Sequence, residues 1–423
     1  MVQKLNGKTL NIILLLLYKF SFDLLYVMII SPLYGYYGFT ANFALEKYFL
    51  LVIFFLLIIT PTVNLYYSNK TSSTAIILFT FMYFIPGLTY ISFINVPIKF
   101  IFFYLLYWLL ILYWNRFMVN IYIPKLKKEN AQIFLAVYVA IAFFSILYIS
   151  AKYTGLRLHF NLDDVYELRA QARLMSFSKI TKYIMPIFAI TIPVLILYFL
   201  INKKKYITTI LILLQLLLFS IGGHKFFIFS LLVTFLIFFY YKKGGRNLIS
   251  LVFFLLNISV FIEYYFRNGT SSIVRYTHFR VLLIPNQISY YIFDFMQKNE
   301  LLYLRESILR HLGFESPYPK SIFFIIGEEY YHNSFTRANN GMCGDAYSQF
   351  GFISLFFYTL LLPFAFNLIQ IFAKNLDERI VFLTVFLYAF AFINGSFFTV
   401  LLTNGLIITY IILYLMSSIK SKR

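Results

Sequence analysis

Arginine is the side chain best placed to do chemistry in this sequence. Of 13 arginines, nine fall in two long stretches between apolar runs, at about 152–182 and 267–345: Arg157, Arg169, Arg173, Arg267, Arg275, Arg280, Arg305, Arg310 and Arg337. The other basic segments are built mostly of lysine. A guanidinium presents a rigid planar fork that grips two phosphate oxygens together, whereas an ammonium is a point charge. Pairing with loop acids such as Asp163, Asp164, Glu167 and Glu306 is the plainer reading of any one arginine, but it accounts less well for the bias as a whole. His311, Glu315, Glu328, Glu329 and Asp345 are the ionisable groups able to take a proton from a hydroxyl.

Short segments position these side chains. The run Asp163-Asp164-Val165-Tyr166-Glu167-Leu168-Arg169-Ala170-Gln171-Ala172-Arg173 reads as a helix. Its two leading acids suit the helix dipole, and Tyr166, Arg169 and Arg173 fall at i, i+3 and i+7 on one face. Gly222-Gly223-His224-Lys225 reads as a glycine turn that holds Lys225 at a membrane surface. Lys225 there is either a phosphate contact or a snorkelling lysine in an ordinary turn. In Arg275-Tyr276-Thr277-His278-Phe279-Arg280, the row of Arg, His and Arg suits a pyrophosphate headgroup; unspecific attraction to headgroups is the alternative. Residues 287–296 are apolar and aromatic, and 300–312 read as a short amphipathic helix. Both are expected at the membrane surface or dipping into the bundle. Pro317 and Pro319 break these segments, and Asn339-Asn340-Gly341 reads as a turn before the next span. Tyr290, Tyr291, Tyr330, Tyr331 and Tyr347 suit stacking on sugar rings or, more simply, packing.

A membrane body must carry these segments. The chain is 61% hydrophobic, 22% aromatic and only 12% charged, with mean hydropathy +0.79. A soluble domain has about 25% charged residues. Apolar runs near 10–31, 48–66, 74–94, 100–115, 131–151, 183–201, 206–221, 226–241, 248–266, 346–372, 380–394 and 400–416 approach or reach the length that crosses a bilayer. Residues 206–241 read as two short spans or one long one. Lipid offers the backbone no partners, so the runs must be helices. The sequence therefore predicts an all-α polytopic membrane protein of about twelve transmembrane helices, forming one domain over 1–423.

Charge sets the expected orientation. With the N-terminus cytoplasmic, the inner segments hold 18 positive charges, and the short loops on the other side hold only Lys47, Lys99 and Lys225. Both termini are thus expected inside, with the two long loops outside. The first apolar run follows Lys4 and Lys8, lacks a small-residue cleavage site and is long enough to span, so no signal peptide is expected. The formal net charge of +20 reads largely as a topology signal rather than a nucleic-acid surface. Cys343 is the one cysteine, which excludes an intrachain disulfide and a multi-cysteine metal site. Neither HExxH, a GxxxxGK[ST] phosphate loop nor a GxSxG elbow is present. Lys19 and Asp23, one turn apart inside the first span, read as a structural pair, as do Glu263 and Arg267.

The sequence resembles the Wzy-type polymerases of oligosaccharide repeat units. The resemblance lies in Phe279-Arg280-Val-Leu-Leu-Ile-Pro285, Glu306-Ser-Ile-Leu-Arg310-His311 and Ser316-Pro317-Tyr318-Pro319. It continues in Asn339-Asn340-Gly341-Met-Cys-Gly344-Asp345-Ala346-Tyr347, then Phe350-Gly351. Val165-Tyr166-Glu167-Leu168-Arg169 and Gly223-His-Lys225 also fit, so it spans about 160–355 in the same order. It implies a fold akin to GT-C-like membrane glycosyltransferases that use lipid-linked donors, in a bacterial inner membrane. The implied reaction moves a growing glycan from undecaprenyl pyrophosphate onto a new lipid-linked repeat unit, without metal or other cofactor. On that reading Arg169, Arg173, Lys225, Arg275 and Arg280 bind the pyrophosphates of donor and acceptor. His311, Glu328 or Asp345 orients or deprotonates the acceptor hydroxyl. Membrane lipid and a chain-length regulator are the implied partners; nucleic acid is not. Two rivals remain: an O-antigen ligase that moves finished polymer to lipid A core, and a lipid-linked oligosaccharide flippase. A flippase usually shows related halves and short loops, and this sequence shows neither.

Overall fold

The computed structural model describes residues 7–159, 165–241 and 245–420, apart from the side chains of Tyr166, Arg173 and His311. Among the described residues every regular element is a helix. In chain order these are α1 Gly7–Tyr37, α2 Leu45–Tyr67, α3 Thr71–Phe93, α4 Ile98–Phe117 and α5 Lys128–Thr154. They continue with α6 Val165–Leu174, α7 Lys179–Ile201, α8 Lys205–Gly222, α9 Lys225–Tyr240 and α10 Gly245–Phe266. A π-helical stretch, Val274–Leu283, runs into α11 Ile284–Lys298. Then come α12 Ile322–Tyr331, α13 Met342–Phe372, α14 Glu378–Asn394 and α15 Phe397–Lys420.

A helix stands at each of the twelve expected apolar runs, and ten are long and apolar enough to cross a membrane. The chain is an all-helical, multi-pass membrane protein. The other two, α9 with 16 residues and α14 with 17, reach only about 24–26 Å at 1.5 Å per residue. That is a little shorter than a hydrocarbon core of about 30 Å, so ten of the twelve helices have the length and hydropathy of a full span and these two fall just short of it. Residues 206–241 resolve into two helices. Gly223, at φ +59°, turns the chain, and Gln215 of α8 donates to Phe227 O and Ser230 Oγ of α9 at 3.3 and 3.1 Å.

By their contacts the helices gather into two compact units. One comprises Met1–Met118, Gly244–Phe366 and Ala389–Phe397; the other comprises Val119–Lys243, Asn367–Tyr388 and Phe398–Arg423.

In the first unit α3 is the centre, buried along its whole length. Some of its hydroxyls bond within the helix, as when Ser92 donates to Leu88 O at 2.7 Å, and others reach its neighbours, as when Ser72 donates to Asn115 Oδ1 at 2.6 Å. A π-turn at Thr80–Phe84 shifts its bonding so that the Ile85 N–H reaches Thr80 O. The next donor in that register is Pro86, which has no N–H. Phe81 O is therefore left over, and Tyr18 Oη of α1 takes it up at 2.8 Å. α1 and α10 run parallel, joined by Asn11 to Asn247 at 3.4 Å and Asn257 to Ser21 at 2.8 Å. Lys8, Lys70, Arg116 and Arg246 share one end of this unit: Lys8 lies over Tyr67, Lys70 reaches Arg116 O, and Arg246 reaches Ser68 O. These four are among the charges that the sequence reading puts on one side.

The Lys19–Asp23 pair is structural, as expected. The ammonium lies 2.5 and 2.6 Å from the two carboxylate oxygens. Thr89 donates to Asp23 at 2.6 Å and Tyr48 at 3.0 Å, so α1, α2 and α3 are tied at one buried point. Arg267 and Glu263 also pair, at 3.2 Å. Residues 300–312 are not an amphipathic helix. Tyr303 and Leu304 adopt φ of +48° and +63°, outside helical backbone, and only Leu309–Leu312 forms a 3-10 turn. The 287–296 stretch, by contrast, is a helix whose Gln287, Ser289, Ile292 and Phe293 are buried in the unit.

In the second unit α7 packs between α8 and α9, α5 packs against α8 and α15, and the short α6 lies against α8. Lys125 reaches Ser417 at 2.7 Å, and Gly405, at φ +75°, lets α15 approach Ile187 of α7.

Candidate anion-binding sites

The second unit brings Arg169 and Lys225 to one place. The turn between α8 and α9 is tight because Gly223 is left-handed, a conformation costly for any residue with a Cβ. A Cβ there would also come within 3.0 Å of Val165 O and of Leu168 Cβ in α6. α6 thus rests directly on the glycine turn, and Arg169 Nε donates to Gly223 O at 3.2 Å. His224 is exposed beside it, with its pKa lowered by local desolvation and then by the Arg169 charge. Lys225, half-buried, opens α9. The His159 N–H donates to Ser220 Oγ at 2.9 Å and fastens the entry to α6 near the end of α8.

Beside this turn is a cleft of about 180 Å³ lined by Tyr153, Thr154, Arg157, His159, Leu168, Gln171, Met175, Ser220 and Ile221. Arg157 and His159 were not singled out in sequence; only the arginine bias pointed to the first. Arg173 follows Arg169 on the α6 backbone. Its side chain, that of Tyr166, and both Asp163 and Asp164 lie outside the described residues.

In the first unit the π-helical stretch decides which side chains share a face. A π-helix bonds residue i to i+5, so residues five apart stand one above the other. In an α-helix they would be about 140° apart. Arg275 and Arg280 are five apart and both exposed. Arg280 makes no ion pair or hydrogen bond among the described residues. His278 does not join them, contrary to the expected row of three cations. It is fully buried, stacked on Phe22 at 5.4 Å, with its ring nitrogens 2.8 Å from Asn257 Oδ1 and Thr277 Oγ1.

The residues proposed for proton transfer are differently placed. Glu328 is exposed on α12, 2.8 Å from Lys320. Asp345 is 2% exposed. It accepts the Phe397 N–H at 2.7 Å and Gln349 Nε2 at 3.4 Å, the geometry of a carboxylate stabilising the first turn of helix Phe397–Leu402. The His311 side chain lies outside the described residues.

Other residues behind the resemblance serve packing. Asn340 is buried and donates to Ser289 Oγ at 2.6 Å. At Gly341 a Cβ would collide with the carbonyl oxygens of Phe392 and Gly395. Glu306 binds the Ile322 N–H at 3.0 Å and Ser321 at 3.1 Å, capping α12 rather than pairing with an arginine. Arg305 does follow the plainer reading, pairing with Glu300 at 2.5 Å. Tyr291 stacks on Tyr330 at 4.4 Å, and Tyr347 packs on Phe293 at 4.2 Å. Comparison with family models, curated proteins and solved structures finds no match for the chain.

Proposed function

We propose that this protein is a bacterial inner-membrane polymerase of lipid-linked repeat units, with both termini cytoplasmic and a GT-C-like fold. The donor glycan is carried on undecaprenyl pyrophosphate. The acceptor hydroxyl oxygen attacks the anomeric carbon, and the bond to the diphosphate oxygen breaks. The electron pair leaves on the diphosphate, and the hydroxyl proton passes to Glu328, one of the exposed carboxylates among the candidates. Fixed guanidinium groups stabilise the charge that grows on the leaving group.

The observation that supports this reading most is the assembly at Gly223. Arg169, His224 and Lys225 converge there from segments 54 residues apart, at the end of a span rather than in a soluble lobe. Arg275 and Arg280 offer a second pair of cations on one face of the other unit. The arrangement suits a ligand with its phosphates at the membrane boundary.

The test is a chromosomal deletion complemented with variants. Arg169→Ala and Arg280→Ala are expected to leave single-repeat glycolipids in place of a ladder of long chains. Wild-type ladders from both variants, at normal protein levels, would remove the assignment. A deletion strain with no repeat unit attached to its acceptor would instead indicate a ligase.

A further inference from the structure

The Arg275–Arg280 face has neighbours that no reading along the chain brings to it. α1 ends in Tyr34-Gly35-Tyr36-Tyr37. Tyr34 lies flat on Phe279, with ring centroids 4.0 Å apart and planes at 11°. Both Arg275 and Arg280 are within electrostatic reach of the Tyr34 hydroxyl. Tyr36 is 79% exposed, its ring 4.5 Å from that of Tyr37. The turn is anchored from below. Gln287 Nε2 donates to Tyr37 O at 2.6 Å, and Gly38, at φ +87°, sits where a Cβ would press on Tyr291 Oη. Tyr34 and the backbone that carries Tyr36 are therefore held in place before a ligand arrives, which lowers the ordering cost of binding.

An exposed tyrosine at the end of a span is common as an interfacial anchor. An anchor alone needs no pair of guanidinium groups beside it. A tyrosine ring offers an electron-rich face, on which the C–H face of a pyranose can lie. The adjacent guanidinium forks offer phosphate a bidentate grip. We infer that Tyr34, Tyr36, Arg275 and Arg280 form a recognition platform for a phosphorylated glycan, the arginines on the phosphate and the first sugar ring on Tyr36. The inference rests on the polymerase reading for the carrier to which that glycan is attached. An anionic phospholipid headgroup shares the phosphate chemistry but brings no pyranose.

The experiment measures binding to the purified full-length protein in neutral detergent. The probes are a bare prenyl diphosphate, prenyl diphosphates carrying glucose, galactose or N-acetylglucosamine, and phosphatidylglycerol. At least one sugar-bearing probe is expected to bind more tightly than the bare diphosphate. Tyr36→Ala should remove that advantage, about fivefold to tenfold, and leave the bare diphosphate unchanged; Tyr36→Phe should keep it. Arg280→Ala should weaken every diphosphate. The platform is overturned if no sugar improves on the bare diphosphate, if Tyr36→Ala keeps the advantage, or if the arginine variants lose only phosphatidylglycerol. Tyr36 is too exposed for its loss to unfold the protein. A lost ladder in Arg280→Ala with normal glycan binding in Tyr36→Ala would sink the platform and spare the polymerase. An intact ladder in the deletion strain with sugar-dependent binding at Tyr36 would do the reverse.

Discussion

Asp345 offers the sharpest separation of a structural from a chemical role. Its buried carboxylate accepts the Phe397 N–H at 2.7 Å. Asp345→Ala takes that acceptor away from a buried N–H. An unsatisfied buried donor costs about 1–3 kcal/mol, and loss of a negative charge at a helix start adds about 0.3–1 kcal/mol. The expected destabilisation is thus about 1–4 kcal/mol. Asp345→Asn keeps an oxygen for Phe397 and forgoes only the charge and the weak Gln349 contact, so about 1 kcal/mol is expected. Thermal unfolding in detergent, followed by intrinsic fluorescence, should rank wild type above Asn and Asn above Ala. The glycan ladder should survive in the Asn variant in proportion to the protein that folds. A proton acceptor would behave otherwise, because an amide cannot take the proton. If Asp345→Asn unfolds like wild type and yet makes no polymer, the cap argument is wrong and Asp345 belongs to the chemistry.

Two further outcomes test other parts of the structure. Lys19→Met strands Asp23 as an unpaired buried charge and should cost about 3–5 kcal/mol, whereas Lys19→Met with Asp23→Leu should recover most of the loss; equal stability of the single and double variants would show the pair is not coupled. Arg169→Gln should raise the His224 pKa, since the Arg169 charge helps to lower it, so His224 would stay protonated to higher pH. Gly223→Ala should act in the same direction by lifting α6 off the turn, at a cost of about 1–2 kcal/mol for the left-handed backbone. Histidine titration by NMR reads both, and an unmoved His224 in both variants would refute the contact between α6 and the turn.

Much of the architecture follows from the linear chain because lipid leaves it few choices. An apolar run that cannot hydrogen-bond to its solvent must close its bonds internally, so runs of hydrophobic residues were enough to place helices at every expected site. The i, i+4 spacing of Lys19 and Asp23 likewise foretold a pair, since neighbours on a helix can neutralise each other without help from the rest of the fold. Arginine placement was legible for a similar reason: composition alone shows which loops carry guanidinium groups.

What the tertiary structure decided was which of those groups face outward together. α-Helical periodicity sets Arg275 and Arg280 apart and says nothing of His278. The π-helical backbone aligns the two arginines and sends His278 into the core against Phe22 and Asn257. Asp345 read as an acid free for catalysis because its partner, the Phe397 N–H, lies 52 residues away. Tyr34 and Tyr36 drew no notice at the end of the first span; only the stacking of Tyr34 on Phe279 puts them beside the arginines. Local spacing governs what adjacent residues can do for one another. Contacts between distant segments depend on how the helices pack, and that depends on the whole set of buried side chains at once.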